Sequence, residues 1–148
     1  MNDNTHINVL FAGWCTPTKV DEQQTKAAVE GVFEAIQKMF PNAHVTMFFG
    51  LTDNGSLHYA FKEAVERAWY TIGIACELTR KMALCPADES HFIGSDWGDE
   101  SAAFLQQALA STDPCVFVNI AGGNQSQREM EIAERGGAII FHVKLERQ

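Results

Sequence analysis

The strongest constraint on the fold is a regular alternation between short apolar runs and longer segments with helical periodicity. The runs at residues 7–12 (INVLFA) and 115–120 (CVFVNI) are nearly continuous, which is typical of strands buried on both faces of a sheet. From Asp21 to Phe40 the apolar residues instead recur at helical spacing, and Pro41 closes the segment. A buried strand followed by an amphipathic helix is therefore the repeating unit of this chain.

The same unit recurs along the rest of the sequence. Helical spacing predicts further helices at residues 56–67, 101–110 and 125–135. Apolar runs predict further strands at residues 44–49, 69–75, 91–93 and 138–143. The segment 76–89 stays ambiguous, with partial helical character. Strands that alternate with helices form a parallel sheet covered on both faces, so we predict an α/β fold, a Rossmann-like three-layer sandwich with a mostly parallel sheet.

Composition limits the classes of protein that the chain can belong to. Its 148 residues are 46% hydrophobic and 20% charged, the balance of a globular protein, and the absence of a repeat or a Pro/Gly-rich linker predicts a single domain over residues 1–148. No apolar stretch approaches the roughly 18 residues of a membrane span. The polar N-terminal residues lack the pattern of a secretory signal. We expect a cytoplasmic protein with no membrane partner.

Charge and the spacing of cysteines and histidines argue against three further classes. The net charge of −8 repels phosphate backbones at long range and disfavours nucleic-acid binding, although a small phosphorylated ligand can still be held by local backbone amides. The 4 cysteines have no CxxC spacing and the 5 histidines have no metal-ligand spacing, so we expect no metal site and no disulfide scaffold.

In sheets of this type a ligand binds beyond the carboxyl ends of the strands. That rule selects four loops, at residues 13–18, 50–56, 76 onward and 122–127. In the first two loops the candidate ligand-binding residues are Gly13, Thr16, Gly55 and Ser56.

The segment after the apolar run 115–120 is the richest of these loops. A Gly-Gly turn leads there into a predicted helix, and glycines allow positive φ and a close approach of the backbone to a ligand. The free amides and the positive dipole end of the helix favour phosphate. The candidate phosphate-binding residues are Gly122, Gly123, Asn124, Gln125 and Ser126. An alternative interpretation is a plain strand-to-helix turn in which Ser126 and Glu129 cap the helix.

The run GGNQSQRE at residues 122–129 is similar to the G-G-x-G-T-x-x-E signature of the SLOG superfamily. The similarity places Ser126 on the Thr and Glu129 on the Glu, whereas Gln125 replaces the third Gly. The loop at residues 50–56 and the strand that follows its helix also resemble segments of that family. The resemblance implies a Rossmann-like nucleotide-binding protein related to the cytokinin-activating phosphoribohydrolases (formerly the "lysine decarboxylase" family), without a cofactor.

Two functions are compatible with that resemblance. The first is binding of a nucleotide or nucleotide-derived signal through the Gly-Gly phosphate loop, as a sensor or sequestering protein. The second is cleavage of the N-glycosidic bond of a nucleoside monophosphate, with Glu129 as the catalytic carboxylate. The phosphoribohydrolases pair that Glu with an Arg upstream of an Asp; Asp113 matches the Asp, but residues 101–110 contain no Arg or Lys. We therefore favour binding over catalysis.

The loop at residues 94–100 supplies the remaining candidates. Trp97, like Trp14, could stack on a base, and Asp99 and Glu100 could accept hydrogen bonds from a ribose or a base. Alternatively, the two acidic residues only begin the next helix, where negative charge is favourable. The apolar surplus of the first two helices, together with the resemblance, predicts a homodimer or larger homo-oligomer.

Overall fold

The computed structural model describes residues 5–148. The strands are β1 (His6–Gly13), β2 (His44–Phe49), β3 (Tyr70–Ala75), β4 (Glu89–Phe92), β5 (Cys115–Ile120) and β6 (Ile139–Val143). The helices are α1 (Glu22–Met39), α2 (Gly55–Glu66), α3 (Ser101–Leu109) and α4 (Asn124–Arg135), with a short 3₁₀ helix at Glu77–Lys81. No helix among the described residues is long and apolar enough to cross a bilayer.

All six strands lie in one parallel sheet with the order β4-β3-β2-β1-β5-β6. The predicted α/β fold, a Rossmann-like three-layer sandwich, is confirmed. The chain builds outward from β1 to β4, then crosses back to place β5 on the other side of β1. The strand order therefore switches between β1 and β5, where the connections leave the sheet in opposite directions and open a crevice at the carboxyl edge.

The apolar runs are continuous because the central strands are buried on both faces. On β1, Phe11 packs with Phe33 of α1 on one face. Leu10, its neighbour in sequence, belongs to the cluster on the other face, together with Phe104 of α3 and Phe117 of β5. Successive side chains of a strand point to opposite faces, so a strand between two helical layers is buried at nearly every position, and most of these positions are apolar.

The strand β4 differs most from its prediction. Apolar residues place it at 91–93, whereas the ladder with β3 runs from Glu89 to Phe92. This strand lies at the edge of the sheet and pairs only with β3, so its side chains are mostly exposed and carry little hydrophobic signal. Backbone pairing with β3 determines where β4 lies, and the hydrophobic pattern of the sequence does not reveal that pairing.

The start of α2 fixes the loop that follows β1. The Ser56 backbone N–H and hydroxyl donate to the Trp14 carbonyl oxygen, at 2.9 and 2.8 Å. Gly55 adopts φ +59°, and a Cβ at that position would lie 2.6 Å from the same carbonyl oxygen. Both the conformation and the contact require glycine there. The close approach of α2 to the loop after β1 therefore leaves no room for a side chain at position 55.

We expect Gly55→Ala to lower the free energy of unfolding by about 2 kcal/mol or more, because a left-handed conformation is costly for an L residue and the methyl group would meet backbone atoms. Gly31 is the matched control, since it lies exposed in α1 and a methyl group added there would have no atom within 4 Å. Gly31→Ala should raise the stability by roughly 0.5–1 kcal/mol. Urea denaturation measures both, and equal effects of the two substitutions would contradict this expectation.

Candidate functional site

A cavity of about 390 Å³ lies at the carboxyl edge of the sheet, lined by the ends of β1 and β3 and by the segments that follow β2 and β5. It is bordered by the loop at residues 14–18 and by the first turn of α4. Trp97 and Glu100, before α3, line it as well. Its volume falls within the range of about 300–1,000 Å³ found for small-molecule sites. We call this space the carboxyl-edge cavity.

The structure brings most of the sequence-predicted residues to this cavity. Those that line it are Gly13, Thr16, Trp97, Glu100, Gly123, Asn124, Gln125, Ser126 and Glu129. Those that do not line it are Gly55, Ser56, Asp99 and Gly122. The loops chosen by the carboxyl-end rule therefore meet at one place, although four of the chosen residues lie outside the cavity wall.

The residues outside the lining hold the bordering loops in place. Asp99 accepts hydrogen bonds from the Ser95 and Asp96 backbone N–H groups, at 3.1 and 3.0 Å. The Gly122 N–H donates to the Asn119 side-chain oxygen at 2.9 Å. A Cβ on Gly122 would lie 2.4 Å from the Ser126 Cβ, so glycine is required there for the close packing of the turn on α4.

The positive φ in this turn falls on a residue that the sequence did not single out. We expected it at the two glycines, but Ala121 adopts φ 51° and neither glycine has a positive φ; that expectation is wrong. Ala121 is buried, and its N–H donates to the Val143 carbonyl at 2.8 Å. This hydrogen bond to β6 thus fixes the backbone conformation of Ala121, the residue that precedes the two glycines.

The N-terminus of α4 has no side-chain cap. Gly123 is its N-cap residue and no side chain accepts from the first turn, so the cap predicted from Ser126 and Glu129 as the alternative interpretation is wrong. The first backbone N–H groups of a helix have no acceptor within it. Asn124, Gln125 and Ser126 therefore present uncapped N–H groups, and all three residues line the carboxyl-edge cavity.

Glu129 lies at the wall of this cavity with only 5% of its surface exposed. The Ser101 hydroxyl donates to its Oε2 at 2.5 Å, and the Gln125 amide donates to the same oxygen at 3.3 Å. The Gln125 amide also lies 3.4 Å from a carboxylate oxygen of Glu100. Burial raises the pKa of Glu129 above its ordinary value, and the two hydrogen bonds oppose that shift only in part. The cavity therefore holds a carboxyl group that protonates readily.

The two candidate tryptophans differ in their freedom to contact a ligand. Trp14 is buried, and its indole N–H donates to the Thr25 hydroxyl at 2.9 Å. Trp97 is 62% exposed and lines the cavity. Both line the cavity, but only the ring of Trp97 is open enough to stack on an incoming planar group.

Sequence reasoning missed Thr52, which follows β2 and lines the cavity. The residue is only 7% exposed, and its hydroxyl makes no hydrogen bond among residues 5–148. No fully buried side-chain oxygen or nitrogen among the described residues lacks a partner, so this unbonded hydroxyl is accessible to solvent, and the residue that carries it lines the cavity. Its loop was selected from the sequence, but one Thr among several turn-forming residues gave no signal of its own.

The resemblance predicts an arginine upstream of Asp113, which residues 101–110 of this sequence lack, and no other cationic residue of the described chain takes its place at the cavity wall. Among the described residues, none that lines the cavity is Arg or Lys. Asp113, which matches the family's Asp, lies at the opposite edge of the sheet, where its carboxylate is 2.9 Å from the His6 Nδ1. No three His, Cys, Asp or Glu side chains of residues 5–148 are placed to hold a metal ion.

An all-parallel sheet with a cavity over the switch in strand order defines the chain as a Rossmann-like α/β protein. No family model and no curated protein matches the sequence. Among solved structures, the chain is similar to the Moco carrier protein from Chlamydomonas reinhardtii, with 20% identity over 95% of this chain and 76% of that one and a TM-score of 0.63. At this identity, the similarity shows a shared fold.

Two further solved structures are more distant in shape. One is the molybdenum cofactor carrier protein MCP from Chlamydomonas reinhardtii, with 19% identity over 94% of this chain and 89% of that one and a TM-score of 0.43. The other is the molybdenum cofactor binding protein from the phototrophic bacterium Rippkaea orientalis, with 14% identity, 96% and 90% coverage, and a TM-score of 0.48.

The buried carboxyl group gives a pH-dependent prediction. Because its pKa is raised on folding, the folded protein binds this proton more tightly than the unfolded chain, and the free energy of unfolding falls as the pH rises between the ordinary and the raised pKa. Glu129→Gln should therefore stabilise the protein at about pH 8, and the gain should shrink towards about pH 4. Glu131→Gln removes the same charge from an exposed position of α4 and is the control in urea denaturation. An equal gain at both pH values would contradict the prediction.

Proposed function

We propose that this protein binds a small phosphorylated ligand of nucleotide size in the carboxyl-edge cavity, as a sensor, sequestering protein or carrier. The observation that carries the proposal is the uncapped N-terminus of α4, which opens on a cavity of about 390 Å³. The proposal includes the sequence-based assignment to the SLOG superfamily, whose Gly-Gly signature falls on the same turn.

The phosphate is assigned to the first turn of α4. The amides of Asn124, Gln125 and Ser126 and the positive end of the helix dipole attract an anion without a cationic side chain. The Ser126 hydroxyl makes no hydrogen bond among the described residues and adds a further donor. A phosphate group fits this set because it accepts several hydrogen bonds at once.

The rest of the ligand extends across the cavity towards β2. Trp97 offers an open aromatic face, while Ile74 and Phe104 form an apolar wall. Thr52 and Glu100 supply polar groups for a sugar or the edge of a heterocycle. The structure with the same fold is named as a carrier of Moco, which supports a cofactor-sized ligand and makes the molybdenum cofactor a second class to test beside nucleotides.

Cleavage of an N-glycosidic bond is the second candidate, favoured by the state of Glu129. A buried carboxyl group with a raised pKa at the wall of a cavity keeps its proton to a higher pH than an exposed glutamate does, as a general acid must. In this alternative Glu129 would protonate the leaving base or stabilise the developing positive charge on the sugar.

Calorimetry with AMP, GMP, adenosine, inorganic phosphate and the molybdenum cofactor tests binding. We expect a phosphorylated ligand to bind and its unphosphorylated counterpart to bind at least tenfold more weakly, because charge-assisted hydrogen bonds contribute about 1.5–3 kcal/mol. Failure of every phosphorylated compound and of the cofactor to bind would contradict the proposal.

Thr52 provides a test of the other end of the cavity. Thr52→Val keeps the shape of the side chain and removes the hydroxyl, so we expect ligand affinity to fall by roughly threefold to tenfold, the value of one hydrogen bond. Stability without ligand should not fall, because the hydroxyl has no partner to lose. Thr52→Ser retains the hydroxyl and should bind as the wild type does; identical affinity for all three proteins would remove Thr52 from the site.

Product analysis separates binding from hydrolysis. After incubation with AMP or GMP, chromatography of the denatured mixture shows either intact nucleotide or free base. Release of base by the wild type and its loss in Glu129→Gln would establish the hydrolase. Recovery of intact nucleotide that had bound tightly supports binding alone.

A further inference from the structure

The structure places one cation beside the proposed phosphate site, although none lines the cavity. We propose that Arg147, from the segment 144–148 after β6, completes the site by pairing with a phosphate monoester held by the first turn of α4. The inference rests on the proposed function and adds a residue that no sequence pattern identified.

The segment 144–148 is held against the loop that borders the cavity. Leu145 packs on the small cluster of Trp14, Val20 and Ala121. Arg147 forms an antiparallel backbone bridge with Val20, and the next backbone N–H, that of residue 148, donates to the Lys19 carbonyl at 2.7 Å. These contacts hold the backbone of Arg147 beside Lys19 and Val20, which follow the loop that borders the cavity.

From there the side chain reaches the N-cap of α4. A Cβ built on Gly123 would lie 3.4 Å from the Arg147 Nη2, and no other atom would be within 4 Å. Gly123 itself lines the cavity. The guanidinium group therefore lies beside Gly123, the N-cap residue of the helix whose first N–H groups are uncapped.

This position is unfavourable for a cation unless an anion is present. A positive charge at a helix N-terminus opposes the helix dipole, and Arg147 forms no ion pair with any carboxylate of residues 5–148. By contrast, Arg67 and Arg80 each pair with a glutamate, at 2.9 and 2.5 Å. In a chain of net charge −8, an arginine without a carboxylate beside free helix amides is suited to an external anion.

A second observation concerns a polar side chain on the other side of the same cavity. Thr52 is nine-tenths buried and lines the cavity from the β2 side, and its hydroxyl makes no hydrogen bond among the described residues. A ligand that reaches Thr52 from the α4 turn must have an organic part as well as an anionic end. Arginine binds the oxygens of a tetrahedral phosphate through two parallel N–H groups, and a terminal phosphate offers the most free oxygens, so the ligand class that we propose is a phosphate monoester with its phosphate between Gly123 and Arg147.

Two variants and a matched control test the role of Arg147. Calorimetry is carried out with AMP, inorganic phosphate and adenosine on the wild type, Arg147→Ala and Arg147→Lys. Arg135→Ala removes the same charge from the last turn of α4 and is the control. We expect Arg147→Ala to weaken AMP and phosphate binding about tenfold, Arg147→Lys to weaken both by less, and adenosine binding and Arg135→Ala to remain unchanged.

A structural role for Arg147 would give a different pattern. Because the cation opposes the helix dipole, Arg147→Ala should leave the melting temperature without ligand unchanged or higher, while the rise caused by phosphate should shrink. A lower melting temperature without ligand, together with an unchanged phosphate shift, would overturn the inference. Wild-type binding of AMP with equal affinities in Arg147→Ala and Arg135→Ala would overturn it as well and leave the proposed function intact. Absence of phosphate and AMP binding in the wild type would overturn both.

Discussion

The parallel ladder between β1 and β5 determines where a site can exist in this protein. It pairs Gly13 with Ile120, so the loop after one strand and the Gly-Gly turn after the other leave the sheet side by side. The backbone N–H of Trp14 also donates to the Ile120 carbonyl at 3.0 Å. Helix α2, the α4 turn and the segment 144–148 each contact this junction. The cavity exists because the connections from the two strands then diverge to opposite faces.

The elements and the fold class could be predicted because the central strands and the helices carry strong periodic signals. Four of the loops around the cavity followed from the carboxyl-end rule alone. Three features could not be read in this way: the position of edge strand β4, the positive φ at Ala121 and the free hydroxyl of Thr52. Each of these features depends on residues distant in sequence, either through backbone pairing or through burial. Backbone pairing and burial leave no local pattern in the sequence.

The two sides of the cavity differ in electrostatic character. On the α4 side, uncapped amides and the nearby Arg147 favour negative charge. On the α3 side, Glu129 and Glu100 are linked by the Gln125 amide, and they favour hydrogen-bond donors. A ligand with an anionic end and a donor-rich end is therefore favoured in one orientation, with its anionic end at α4. The charge distribution of the cavity thus favours one ligand orientation independently of the individual hydrogen bonds.

The ladder between β1 and β5 also joins the beginning of the described chain to its last third. Contacts between segments so far apart in sequence form late, because the intervening chain must first be ordered. During synthesis on the ribosome, β1 to β4 could associate while one wall of the cavity was still missing. If the cavity binds the ligand proposed above, binding must wait until α4 has emerged, because the first turn of α4 forms part of the cavity wall; occupancy would then be a property of the folded chain and not of the nascent one.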